Sequence, residues 1–183
     1  HASTTVVAQF FKEKKCFGHL LAAEIQSIEK VMSSGEKPVL AVLGGAKVSS
    51  KITIIENILP KVDHLIIGGG MAFTFIKAQG GAIGKSICED DKMPLALSIL
   101  KQAEKLGVKI HLPVDVRAGK EFSNDTPQQV FPINAIPDDW EGMDAGPESE
   151  KNFGAVVKQA KTILWNGPLG VFEFPAFSTG TRA

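Results

Sequence analysis

The sequence predicts an α/β domain built on a parallel sheet, and three observations carry that prediction. Four short apolar runs, Val39–Leu43, Leu65–Ile67, Lys109–Leu112 and Thr162–Trp165, are each followed closely by Gly or Pro. Strands buried on both faces read as continuous aliphatic or β-branched runs of this kind. Amphipathic stretches at helical spacing separate the runs, and strand–helix alternation implies right-handed crossovers in one sheet. The bulk composition agrees: in 183 residues, 44% hydrophobic and 22% charged side chains suffice for a core and exclude a disordered tail.

Taken in order, Ser3–Lys15 reads as a helix in which Phe10 and Phe11 need burial. Leu21, Ile25, Ile28 and Met32 then mark a helix ended by Ser33-Ser34-Gly35. These leading residues stand apart from the α/β unit that begins at Lys37. Ser49–Leu59 carries Ile52, Ile55 and Leu59 on one side of a helix. Pro94–Leu106 places Leu95, Ile99, Ala103 and Leu106 at helical spacing, with Gly107 to end it. Phe122–Gly146, punctuated by Pro127, Pro132 and Pro137, reads as a long connection with one short strand near Val130–Ile133, an excursion of the kind that builds binding sites. Pro147–Lys161 is a helix with Phe153, Val156, Val157 and Ala160 inward and acidic Glu148 and Glu150 at its N-terminus. Ser178–Ala183 reads as a helix just beginning, and both ends of the chain read as cuts.

Several function classes are disfavoured. Twenty Lys and Arg balance twenty Asp and Glu, so there is no basic field to draw nucleic acid or an anionic membrane. No apolar run approaches the roughly 20 residues that span a bilayer. Cys16 and Cys88 lie in neither a CxxC nor a Cys/His spacing, which argues against structural zinc or a disulfide framework and for a reducing, cytoplasmic setting. The four histidines show no metal-binding spacing, and His64 and His111, in or beside strands, read as core or edge residues. Asp63, Asp115 and Asp144 are placed to hold structure as well as metal.

Ligands of open α/β sheets bind beyond the carboxyl ends of the strands, so the residues after each run matter most. After the first run, Gly44-Gly45-Ala46-Lys47-Val48-Ser49-Ser50-Lys51 combines small residues, a helix start and two lysines four apart. This is chemistry for a phosphate chain, or else a tight turn with solvated lysines. After the second, Gly68-Gly69-Gly70 demands bare backbone, either for helix–sheet packing or for a flat ring lying against the chain. Phe73 stands where a dinucleotide fingerprint needs its third glycine, which argues against a Rossmann dehydrogenase. Gly80–Ser86 imitates a phosphate-binding P-loop, but Gln79 occupies the required first glycine, leaving a glycine-rich turn. After the last run, Trp165–Glu173 packs an amide, two glycines, an aromatic and a carboxylate together. Glu173 is either an acceptor for ribose hydroxyls or an exposed surface carboxylate.

Together these loops resemble the phosphoglycerate kinase family. The carrying strings are Leu43–Lys51, Ile67–Phe75, Leu112-Pro113-Val114-Asp115, Met143–Ser149 and Trp165–Glu173, in family order over essentially the whole chain. The resemblance implies a Rossmann-like three-layer α/β/α sheet, the C-terminal domain type of that family. Residues 1–18 match the end of an N-terminal substrate domain, 19–34 the interdomain helix, and 35–183 most of the nucleotide-binding domain. It further implies phosphoryl transfer between ADP and 1,3-bisphosphoglycerate, with Mg-ADP or Mg-ATP as the nucleotide. Lys47 matches the lysine that steadies the transferring group, and Lys51 the one on the nucleotide phosphates. Gly45, Ala46, Gly69, Gly142 and Met143 match the adenine pocket, with Ile87 and Phe122 in its apolar wall. Asn166, Gly167, Leu169 and Phe172 match the loop around ribose and phosphates, and Glu173 the ribose carboxylate. No metal ligand is carried over, since some members have Asp where this chain has Ser50 and the family's metal-binding aspartate matches no position here. The substrate's basic patch likewise precedes the residues present, so 3-phosphoglycerate is expected only through the N-terminal domain. The expected species is a cytoplasmic monomer, with weak nucleotide binding and no turnover by this chain alone. The rival reading is an interaction or folding fragment that binds no nucleotide.

Overall fold

The computed structural model describes residues 6–13, 15–16 and 18–183, with the side chain of Met32 outside the described set. They divide into two compact units, His1–Ser34 and Gly35–Ala183.

In the first unit, helix α1 spans His19–Ser34. Its serines bond back onto the preceding turn: the Ser27 and Ser33 hydroxyls donate to the carbonyls of Ala23 at 2.8 Å and Glu29 at 2.6 Å. The helix expected over Ser3–Lys15 is not formed among the described residues, which hold only a 3-10 turn at Val7–Phe10; Ser3, Thr4, Thr5 and Lys14 lie outside them. Phe10 is 80% exposed and Phe11 51%, so neither is buried as expected. An apolar pair without a recurring helical stripe cannot cover itself, and a 3-10 turn is what so short a segment supports.

The second unit is built on strands β1 (Val39–Leu43), β2 (His64–Ile67), β4 (Lys109–His111) and β9 (Thr162–Asn166), all parallel, in the order β4-β2-β1-β9. These are the four runs read from the sequence. All five residues of β1 are buried, as a central strand covered on both faces requires. Leu40, Val42 and Ile66 meet Phe153 of α5 (Pro147–Gln159) on one face. Ala41, Leu43, Leu65 and Ile67, which point the other way, are equally inaccessible. Helices α2 (Ile52–Ile58), α3 (Met71–Ala78) and α4 (Met93–Leu106) provide the connections. Gly107 ends α4 at φ +72°, and the Val108 N–H closes the turn on the Ala103 carbonyl at 2.9 Å. At the chain's end, α6 (Thr179–Arg182) is one short turn.

Two expectations change. Helix α2 begins at Ile52, not Ser49. The Lys51 N–H turns back to the Val48 carbonyl at 2.8 Å and the Ser50 hydroxyl to that of Lys47 at 2.8 Å, so 47–51 forms a turn instead of a first helical turn. The excursion 122–146 also holds more than one strand. An antiparallel sheet of β5 (Asp115–Gly119), β6 (Gln128–Pro132) and β8 (Glu141–Ala145) runs in the order β6-β5-β8, with a bulge at Arg117/Ala118. Short strands β3 (Ala82–Ile83) and β7 (Ala135–Ile136) pair beside it. Phe73, Ile76, Ile83, Val116, Ile133 and Ile136 form a second core there. The P-loop lookalike is the turn around β3.

Candidate functional site

The loops after β1, β2 and β9 meet backbone to backbone at the carboxyl end of the parallel sheet. The Gly44 N–H donates to the Asn166 carbonyl at 3.0 Å, Gly69 to Leu169 at 3.0 Å and Met71 to Gly45 at 2.9 Å. A Cβ on Gly44 would lie 1.9 Å from the Pro168 oxygen, and Gly167 at φ +93° would bring one within 2.4 Å of the Gly44 oxygen. Gly44 and Gly167 are therefore there because the two loops touch. The three glycines after β2 pack against the neighbouring loops, where Cβ atoms would meet Leu169, Gly45 and Ile87, and they line a cavity.

That cavity has a volume of about 340 Å3 and a largely apolar lining. Gly45, Ala46, Gly69 and Ile87 line it together with Gly142 and Met143 of β8, and Phe122, Leu169 and Glu173 complete the set of candidates in the wall. Nine candidates, drawn from between Gly45 and Glu173 in the sequence, thus share one space. Phe122 is 62% exposed and rests on Phe174 with ring centres 5.1 Å apart.

The remaining candidates lie outside the lining. Lys47 is exposed and directly follows the lining residue Ala46. Lys51 donates to the Asn166 side-chain oxygen, and its Cε is 3.7 Å from where a Cβ of Gly45 would stand. Both lysines therefore sit on the loop that forms one lip of the cavity. Gly167 serves the loop contact just described, and Phe172 is 47% exposed.

Among the further lining residues, Phe73 and Glu141 are not read as ligand candidates from the sequence, and Asp144 is read there only as holding structure or metal. Phe73 reaches in from α3, and its ring end would be 2.3 Å from a Cβ on Gly142. Burial raises the Glu141 carboxyl above its usual range, with Lys85 opposing. Asp144 is 3% exposed and accepts the N–H groups of Ala145 and Gly180, each at 2.9 Å. Burial pushes its carboxyl up to about 6, against those two hydrogen bonds. Glu141 and Asp144 carry no local signal, because β8 is buried along nearly its whole length and shows no in–out alternation.

The other aspartates hold structure. Asp115 accepts the N–H groups of Glu148 at 3.0 Å and Ser149 at 2.8 Å, capping α5 from a neighbouring strand. Asp63 accepts the Val39 N–H at 2.8 Å, which with Lys37 holds its carboxyl below the usual range. His64 and His111 share a 3.0 Å hydrogen bond between β2 and β4. Among the described residues, no group of three or more His, Cys, Asp or Glu is placed to hold a metal ion. The donors present among the described residues do not form a magnesium cage. Nor is any helix among them long and apolar enough to cross a membrane.

A twisted parallel sheet with a crevice beyond its strand ends, walled by glycine-rich loops, defines a ligand-binding α/β domain. The phosphoglycerate kinase family model matches residues 1–183, and the chain belongs to that family. A phosphoglycerate kinase of Porphyromonas gingivalis is 51% identical over 184 residues, covering 100% of this chain and 44% of that protein. One of Moorella thermoacetica is 49% identical, covering 100% and 46%. The solved structure of phosphoglycerate kinase from Coxiella burnetii superposes with a TM-score of 0.86 at 45% identity, covering 90% of this chain and 42% of that one. The chain thus spans less than half the length of the curated relatives it matches.

Proposed function

We propose that this chain carries the nucleotide side of a phosphoglycerate kinase, which exchanges a phosphoryl group between 1,3-bisphosphoglycerate and ADP in glycolysis. The observation that supports this most is the cavity itself: an apolar slot with bare glycine backbone on one wall and a two-lysine loop at its lip. Adenine fits between Gly45, Gly69 and Ile87 on one side and Gly142 and Met143 on the other. Glu173 then accepts from the ribose hydroxyls, and the loop Asn166–Phe172 runs beside ribose and phosphates.

Lys51 holds the nucleotide phosphates, with Asn166 steadying its amine. Lys47 meets the equatorial oxygens of the phosphoryl group as negative charge spreads over them in transit. In the forward direction a terminal oxygen of ADP bonds to phosphorus while the acyl P–O bond breaks. The bonding pair leaves with 3-phosphoglycerate as its carboxylate, and ATP is formed. Magnesium belongs to this proposal as a companion of the phosphates, where it neutralises charge. The acid substrate requires the family's N-terminal domain, and closure of the two domains positions the reactants and excludes water. By itself the chain binds nucleotide weakly and does not turn over, acting in its parent as a cytoplasmic monomer.

Calorimetric titration with Mg-ADP, after circular dichroism shows a folded chain, tests the reading. Saturable binding weakened about tenfold or more by Lys51→Ala is expected from loss of one charge-assisted contact. A folded chain that binds no ADP, or that prefers NAD, overturns it.

A further inference from the structure

The lysine loop is not held only by its own turn. Ser49 lies between Lys47 and Lys51, and it gives both its donors to one side chain forty residues further on. Its N–H reaches Glu89 Oε2 at 2.9 Å and its hydroxyl reaches Oε1 at 2.5 Å. Glu89 is itself anchored, because its N–H donates to the hydroxyl of Thr74, which is 1% exposed on α3, at 3.1 Å. The same short segment contributes Ile87 to the cavity wall and, through the Ser86 hydroxyl, accepts the N–H of Gly142, a lining residue of β8, at 2.9 Å.

We infer that Glu89 is a positioning residue: its carboxylate clamps Ser49, setting the two-lysine loop at a fixed distance from the slot that takes the base. This rests on the nucleotide reading above and adds to it a residue that touches no ligand. Burial pulls the Glu89 carboxyl upward, but donation from the Ser49 hydroxyl and the Ser49 and Val48 N–H groups outweighs it, leaving the carboxyl below its usual range. The clamp is therefore ionised and intact at neutral pH. A two-point carboxylate contact fixes direction as well as distance, which one neutral hydrogen bond does not. Lysine side chains are long and flexible, so phosphate binding depends on where their backbone is held.

The consequence is selective. Loosening the clamp moves the lysines and leaves the base slot, so it weakens binding of a nucleoside diphosphate without weakening binding of the nucleoside. The test compares ADP and adenosine binding to the wild-type protein, Glu89→Ala and Glu89→Gln. Glu89→Ala is expected to lose about tenfold in ADP affinity with adenosine within about twofold, and Glu89→Gln, which keeps one acceptor, to fall between. Equal loss of both ligands makes Glu89 a general structural residue and overturns the inference, as does unchanged ADP affinity. Wild-type protein that binds neither ligand overturns the nucleotide reading and this inference with it. Should Glu89→Ala not fold, Ser49→Ala removes only the hydroxyl contact. A few-fold loss for ADP alone is expected there, and no loss overturns the clamp.

Discussion

The two larger sheets of the second unit solve the burial problem in opposite ways. In the parallel sheet, β1 and β2 bury seven aliphatic side chains, from Leu40 to Ile67, with no measurable exposure. Their stability comes from area removed from water. The antiparallel sheet instead buries polar groups and satisfies each one. Arg117 donates to Glu150 at 2.5 Å and to the Ala145 carbonyl at 2.6 Å. The Ser149 hydroxyl lies 2.6 Å from Asp115 Oδ1 and takes the Val114 N–H at 2.8 Å. Among the described residues, no buried side-chain nitrogen or oxygen lacks a partner. The first sheet should respond to lost volume and the second to lost partners and to pH.

The largest expected effect breaks the apolar side. Leu40→Ala removes a fully buried side chain between β1 and α5 and should cost about 2–5 kcal/mol by denaturant unfolding, with little pH dependence. A loss below 1 kcal/mol would mean the sheet is not the stabilising element.

Next comes pH on the polar side. The folded-state carboxyl of Asp144 sits near 6, above its usual 3.8. Its contribution to stability is therefore full below about 4 and lost as pH rises through about 6, by up to about 3 kcal/mol. Asp63 and Glu89, held low, pull the other way, so the informative quantity is the difference between the wild-type protein and Asp144→Asn. Wild-type stability should fall relative to the variant between pH 4 and 7; a flat difference would remove the buried-charge account.

Ser149→Ala is expected to cost about 1–2 kcal/mol, because it strips the shared partner of Val114, Asp115 and the start of α5. Circular dichroism melting would read this as a lower midpoint, and an unchanged midpoint would show that water replaces the hydroxyl. The smallest effect is Lys37→Ala. It breaks a 3.0 Å pair with Asp63, but the lysine side chain is 76% exposed, so the change should stay within about 1 kcal/mol and shrink with added salt. A larger cost would make ion pairing, and not burial, the main support at the N-terminal end of β1 and β2.

The same contrast explains what was legible beforehand. Val39–Leu43 announces itself as a buried strand because every residue in it is apolar, and Gly107 announces a helix end by needing a left-handed turn. Asp115–Gly119 and Glu141–Ala145 carry charges inward, so no pattern of polarity marks them as strands; their partners lie up to 56 residues away. Ser49 reads as the start of a helix because nothing local says that its donors go to Glu89. Phe10 and Phe11 were expected to be buried by hydrophobicity alone, and they are exposed in the unit that contains them.

What the sequence by itself determined is the parallel α/β core, the end of α4 at Gly107 and the family, because each is written in contiguous residues: an apolar run, a cap, an unbroken motif. What the tertiary structure decided is the cavity, the bulged antiparallel sheet and the anchoring of the lysine loop. Those depend on which backbone groups meet across the fold. A buried polar residue is tolerated or ruinous according to partners that only the folded chain brings within 3 Å.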